Sequence, residues 1–161
     1  MMMTMHKPFR SLLLCLGLFL ASAANADAFT IQEVTSPGGI KAWLVEEHAI
    51  PLLSMKYSFR GGSEFDPAGK EGLSEFLTGM MDEGAGEMLS AEFQKKRDEL
   101  AFRMSFDSGS DFFEGGFQTL AKNRDAATDL LKLAITSPRF DAEPLERMRQ
   151  QYQLNVKEKL Q

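Results

Sequence analysis

The stretch GLSEFLTGMMDEGAG, from Gly72 to Gly86, decides how the rest of the chain is read. Within it Leu73, Phe76, Leu77, Met80 and Met81 recur at intervals of three and four, the period of a helix that buries one face. Glycine-rich segments lie on both sides, so the stretch predicts a short core helix with a loop at each end. Positions 75, 78 and 79 adjoin one another on that helix, because residues three and four apart are neighbours on its surface. They hold Glu75, Thr78 and Gly79, which is to say a carboxylate, a hydroxyl and no side chain at all. A mid-helix glycine costs roughly 1 kcal/mol against alanine, which points to close backbone packing at Gly79 or to a position released from an earlier function.

Upstream, Leu52 to Arg60 alternates apolar and polar residues with Leu53, Met55, Tyr57 and Phe59 on one face, the pattern of a half-buried strand. Gly61, Gly62, Asp66-Pro67 and Gly69 break it before the helix begins. Earlier still, Ile31 to Val34 and Lys41 to Glu46 flank the turn signal Ser36-Pro37-Gly38-Gly39, which predicts a hairpin. Downstream, Ser90 is the expected N-cap of a second helix that carries Ala91, Phe93 and Leu100, with Lys95 to Glu99 as a solvated charged face. Phe102 to Asp107 and Phe112 to Leu120 predict a second hairpin around Ser108-Gly109-Ser110-Asp111. Asp125 to Thr136 is amphipathic and ends at Pro138, and a last helix opens near Ala142 with Pro144 in its first turn. It carries Leu145, Met148, Tyr152 and Val156 and runs to the last residue without a stop signal, as expected of a fragment of a longer protein. Strands and helices are segregated, so the expected class is α+β, a mainly antiparallel sheet with helices packed on one face.

With 161 residues the chain suffices for one domain. Its start stands apart. Lys7 and Arg10 precede the apolar run Leu12 to Ala21 (LLLCLGLFLA), followed by Ser22, Ala23, Ala24, Asn25 and Ala26. That order describes a secretory signal peptide over residues 1–26, cut after Ala26 or Ala28, which directs the remaining chain to the periplasm or out of the cell. The run is too short to span a bilayer comfortably, so no stable membrane insertion is expected after cleavage. Cleavage takes two cations from the 18 in the chain against an unchanged 23 carboxylates, and it removes Cys15 and His6. The mature protein is then acidic, free of cysteine and left with one histidine, His48, which reads as an exposed turn residue. Disulfides, thiolate metal sites and any site needing two histidines from this chain are excluded. No basic block with interleaved aromatics supports nucleic-acid binding. Gly84-Ala85-Gly86 lacks the lysine and hydroxyl of a phosphate loop. Asp82 and Glu83 have two readings, a hard-cation site shared with Glu75 or simply the close of the helix.

The run PLLSMKYSFRGGSEFDPAGKEGLSEFLTGMMDEGAG resembles the pitrilysin/insulinase family of inverted zinc peptidases, the inverzincins. That family places a strand, a Gly-Ser loop and an Asp-Pro-x-Gly turn before Gly-Leu-x-His-Phe-Leu-Glu-His-Met. The likeness continues through RDELAFRMSFDSGSDFFEGGFQTLAKNRDAATDLL and SPRFDAEPLERMRQQ, so residues 27–161 are similar to the earlier part of one family domain.

The resemblance implies a zinc-binding helix within Gly72 to Gly86, with the two histidine ligands falling on Glu75 and Gly79 and the catalytic glutamate on Thr78. None is retained. Matching Glu146-Arg147-x-Arg149 to the family's Glu-Arg-x-Arg places the third ligand nearest Asn155, with Glu146 or Glu158 as alternatives one slip away. A catalytic zinc needs three protein ligands, an open position for water and a carboxylate to take the water's proton. Thr78 is no base near neutral pH and Gly79 offers no ligand atom. The resemblance therefore implies a non-catalytic subunit or half of a periplasmic zinc peptidase, with no cofactor of its own. It would line a peptide-enclosing chamber beside a catalytic subunit of the same family that holds the zinc. The alternatives are a zinc endopeptidase acting alone through atypical ligands or residues beyond 161, and a free-standing peptide-binding protein.

Overall fold

The computed structural model describes residues 29–159. The expected signal peptide lies outside the described residues. The chain divides into two compact units, residues 1–48 and 49–161.

The described part of the first unit is a hairpin of β1 (Ile31–Thr35) and β2 (Lys41–Val45), paired in register from Ile31 opposite Val45 to Thr35 opposite Lys41. Its turn closes where Ser36 exchanges hydrogen bonds with Ile40 and accepts one from Gly39. A two-stranded ribbon has no interior. Ile31, Ile40 and Trp43 are accordingly exposed, Trp43 to 82%.

The second unit is built on an antiparallel sheet in which β7 (Phe112–Leu120) lies between β3 (Leu52–Arg60) and β6 (Arg103–Ser108). Pairing sets Met55 and Met104 opposite Phe117, and Phe59 and Ser108 opposite Phe113, so one face collects the apolar side chains of all three strands. Polar Ser54, Lys56, Glu114, Gln118, Arg103 and Asp107 alternate onto the other face. Gly115 has no side chain because the Tyr57 ring lies across it on the inner face. Leu53 and Tyr57 pack on the core, while Met55 and Phe59, on the same face of edge strand β3, stay 42% and 52% exposed.

Four helices complete the unit: α1 (Leu73–Met80), α2 (Ser90–Glu99), α3 (Arg124–Thr136) and α4 (Ala142–Lys159). The core joins Phe102 and Phe117 of the sheet side to Phe93 of α2 and to Ala127, Leu130, Leu131 and Ala134 of α3, the last four at three-and-four spacing along their helix. The architecture is α+β, antiparallel strands with helices on the inner face, as the segregated pattern predicts.

Two local details differ from expectation. Gly84-Ala85 is not a plain loop but strand β4, paired with β5 (Met88–Leu89) in a two-rung ribbon. Ser90 is the first helical residue and Leu89 the N-cap, because the Ser90 hydroxyl donates to Glu83 Oε2 at 2.6 Å instead of capping its own helix. The exit from α2 is a paired cap in which Phe102 N–H donates to Arg97 O and Ala101 N–H to Asp98 O, with Ala101 in the left-handed region at φ 47°. Glycine would take that backbone freely; alanine pays about 1 kcal/mol for it.

Candidate functional site

Helix α1 is held at both ends. Upstream, Gly61, Ser63 and Glu64 donate their amides to the carbonyls of Asp111, Gly109 and Ser110 in the β6–β7 turn, which fixes the loop leading to Asp66. Asp66 then reaches forward, its carboxylate accepting from the amides of Gly72 at 2.8 Å and Ser74 at 2.9 Å. Gly72 precedes the helix with φ 90°, a turn that any other residue would enter with strain. Desolvation pulls the Asp66 carboxyl upward, but the amides of Ser74 and Gly72 outweigh it and hold the group below the ordinary aspartate range. The Asp-Pro-x-Gly turn thus serves as a helix cap supplied from six residues away.

At the other end, Glu83 is buried and meets the Arg147 guanidinium through two bonds, NH2 to Oε2 at 2.7 Å and NH1 to Oε1 at 3.2 Å. Burial alone would raise Glu83; the hydrogen bonds from Arg147 and Ser90 prevail and lower it. Asp82 pairs with Arg97 at 2.7 Å, yet burial dominates there and its pKa is raised. Beyond the helix, Gly86 N–H donates to Ser137 O and Arg139 N–H to Gly84 O, tying the α3–α4 connection to β4. The Arg139 side chain adds a bond to Gly86 O at 3.1 Å and a fork onto Asp141.

These ties lay α4 along α1 in the opposite direction. Arg147 meets Glu83, Met148 and Tyr152 meet Gly79, and Tyr152 meets Phe76 edge to face at 5.5 Å between ring centres. Past Tyr152 the helices part around an open apolar groove of about 790 Å³, with Leu73 and Phe76 on one wall and Val156 on the other.

The three motif positions do stand together on α1. Glu75 is exposed; its backbone carbonyl accepts from the Thr78 hydroxyl at 2.7 Å and from the Tyr152 hydroxyl at 3.2 Å. Gly79 is half-buried beneath α4: a Cβ built there would lie 2.6 Å from the Met148 methyl and 3.2 Å from the Tyr152 hydroxyl. Asn155 is exposed on α4, a turn beyond Tyr152. Glu146 engages Gln150 and Arg149 of its own helix, and Glu158 is exposed. The Asp82 and Glu83 carboxylates are committed to arginines rather than gathered with Glu75. Among the described residues no three histidine, cysteine or carboxylate side chains converge as a metal site, and no helix is long and apolar enough to cross a membrane. His48 is exposed, 3.6 Å from Glu46. The residues present do not fit the ligand set of an inverted zinc peptidase, since the volume beside position 79 is filled by a thioether and a phenol.

Sequence reasoning placed Met148 and Tyr152 on the apolar side of the last helix but did not connect them to Gly79. Nor did it find the Asp66 cap or the Arg147–Glu83 pair. The one available signal was the mid-helix glycine itself, which asks for a close neighbour.

No protein-family profile matches the chain. The fold is shared with solved structures of pitrilysin-type proteins. A peptidase M16 inactive domain from Pseudomonas fluorescens superposes with a TM-score of 0.66 at 20% identity, over 76% of this chain and 30% of that one. A protease from Helicobacter pylori gives 0.62 at 17% identity over 76% and 30%, and pitrilysin gives 0.63 at 22% over 78% and 13%. Among curated proteins, the non-peptidase homolog YmxG of Helicobacter pylori is 25% identical over 138 residues, which is 86% of this chain. The chain spans 31% of the length of that relative. The resemblance read from the motif residues therefore holds at the level of the fold, which is that of pitrilysin and of the peptidase M16 inactive domain.

Proposed function

We propose that this chain is the N-terminal part of a non-catalytic subunit, or half, of a zinc peptidase, exported to the periplasm or secreted once residues 1–26 are removed. In this reading it contributes wall surface to a chamber that encloses peptides and contacts to a catalytic subunit of the same fold, which holds the zinc. One observation carries the reading: α1 is held at both ends as a packed helix by Asp66 and by the Glu83–Arg147 pair, while the space beside position 79 is filled by Met148 and Tyr152. A scaffold of this kind retains surface for substrate and partner after the chemistry is gone. The curated relative is itself a non-peptidase homolog, which supports the same direction.

The test is co-purification of the full-length protein with a motif-bearing homologue from the same cells, with peptide hydrolysis measured with and without it. Complex formation with altered hydrolysis is expected. Absence of both, or stoichiometric zinc with chelator-sensitive cleavage by the full-length protein alone, would overturn the proposal.

A further inference from the structure

We infer that Met148 and Tyr152 form a clasp that joins α1 to α4 as a bridging metal would, so that the loss of the metal site is locked by these two side chains and not only by the three replaced residues. The inference rests on the reading of this helix pair as metal-free and is independent of any role in a chamber.

A zinc held by ligands on α1 and α4 would tie the two helices mechanically as well as chemically. Here the same two helices are tied by other means at the same level. Tyr152 is anchored at two points, its hydroxyl on the Glu75 carbonyl and its ring edge on Phe76. The Met148 methyl fills the space over Gly79, where even a single added carbon would crowd it. Methionine adapts to irregular gaps, so its tip can swing aside for one methyl group. An imidazole at 79 needs far more room, and its way is barred on the other side by the Tyr152 hydroxyl and ring, at 3.2 and 3.4 Å from a Cβ. The Arg147–Glu83 pair, adjacent to Met148 in sequence, fixes the axial position of α4, so the helix cannot slide to open the space.

The order of restoration follows. Placing the family residues back at the matched positions, Glu75→His, Thr78→Glu, Gly79→His and Asn155→Glu, sets new side chains against an intact clasp. The expected result in the full-length protein is a lowered melting temperature that added zinc does not raise. Adding Met148→Ala and Tyr152→Ala to those four changes frees the volume, and zinc is then bound about 100-fold more tightly than by the fourfold variant, with a melting temperature that rises on zinc addition. Stoichiometric zinc in the fourfold variant would overturn the inference. So would a sixfold variant that folds and binds none.

A smaller set guards against failure to fold. Gly79→His alone should melt lower than the parent, and Met148→Ala in the same chain should recover part of the loss; no recovery would show that Met148 is not the obstruction. Tyr152→Phe keeps the ring and removes only the bond to Glu75. It should lower the melting temperature by a few degrees, and an unchanged value would remove the hydroxyl from the clasp.

Discussion

The two sides of helix α1 have had opposite fates. Its ends and the inner part of its apolar side are gripped: Asp66 caps the start, Met80 is buried to 1% exposure, and Glu83 is paired with Arg147 at the exit, while Leu73 stays exposed at the groove. On the side carrying Glu75, Thr78 and Gly79 the Thr78 hydroxyl turns back onto the Glu75 carbonyl, and what covers this side comes from α4. Packing constrains shape and volume, and any substitution on the gripped side is felt throughout a close-packed interior. Chemistry constrains atom type, and once it is released the same positions accept whatever fills the space. A fold can therefore keep a helix in place whatever the chemistry of its other side.

Substitutions can break this contrast. The largest effect is expected on the gripped side, where Met80→Ala removes a fully buried side chain and should cost about 3 kcal/mol in denaturant-induced unfolding. Arg147→Met leaves the buried Glu83 carboxylate with the Ser90 hydrogen bond and the more distant charge of Arg97. Because about half of the arginine side chain lies in solvent, the cost is about 2 kcal/mol rather than that of a wholly buried pair.

The adjacent carboxylates sharpen the contrast through pH. Glu83 is lowered on folding, so it adds stability above the ordinary glutamate value of about 4.3 and loses it as the pH falls through its folded value. Asp82 is raised, so its contribution is present below the ordinary aspartate value and is lost as the pH rises through its folded value. Glu83→Gln should accordingly flatten the rise of stability with pH in the acid range, and Asp82→Asn should steepen it, both read from melting curves at a series of acidic pH values. The smallest effect belongs to the side beneath α4: Gly79→Ala gains helix propensity but pushes the Met148 methyl aside, for a net change within about 0.5 kcal/mol. A loss of about 3 kcal/mol there would erase the distinction between the two sides.

Much of this arrangement was legible in the residues. The alternation in Leu52–Arg60 and Phe112–Leu120 and the three-and-four spacing in α1 and α3 are local periodicities, and each became the expected element. The pairings that build the site leave no such mark. Glu83 and Arg147 are 64 residues apart, and Tyr152 and Glu75 are 77 apart. Ser90 misled for the same reason: a hydroxyl before a helix is an ordinary cap by local rules, but a buried carboxylate seven residues back is a stronger acceptor. Glu75, Thr78 and Gly79 drew attention through their spacing, whereas Met148 and Tyr152 looked like routine core residues until α4 lay across α1.

The strand order of the sheet also has a consequence for how the domain assembles. β6 and β7 adjoin across a three-residue turn and lead directly into α3, so they and the inner-face contacts of α3 form from neighbouring chain. β3 meets β7 only after the loop of residues 61–111 has closed, an entropic cost met late because its reward comes only when the pairing is complete. β3 should be the last strand to dock and the first to fray, its amides exchanging with solvent deuterium ahead of those shared by β6 and β7. The route to α1 starts at the end of β3, so the helix that keeps its place in the finished fold takes that place near the close of folding.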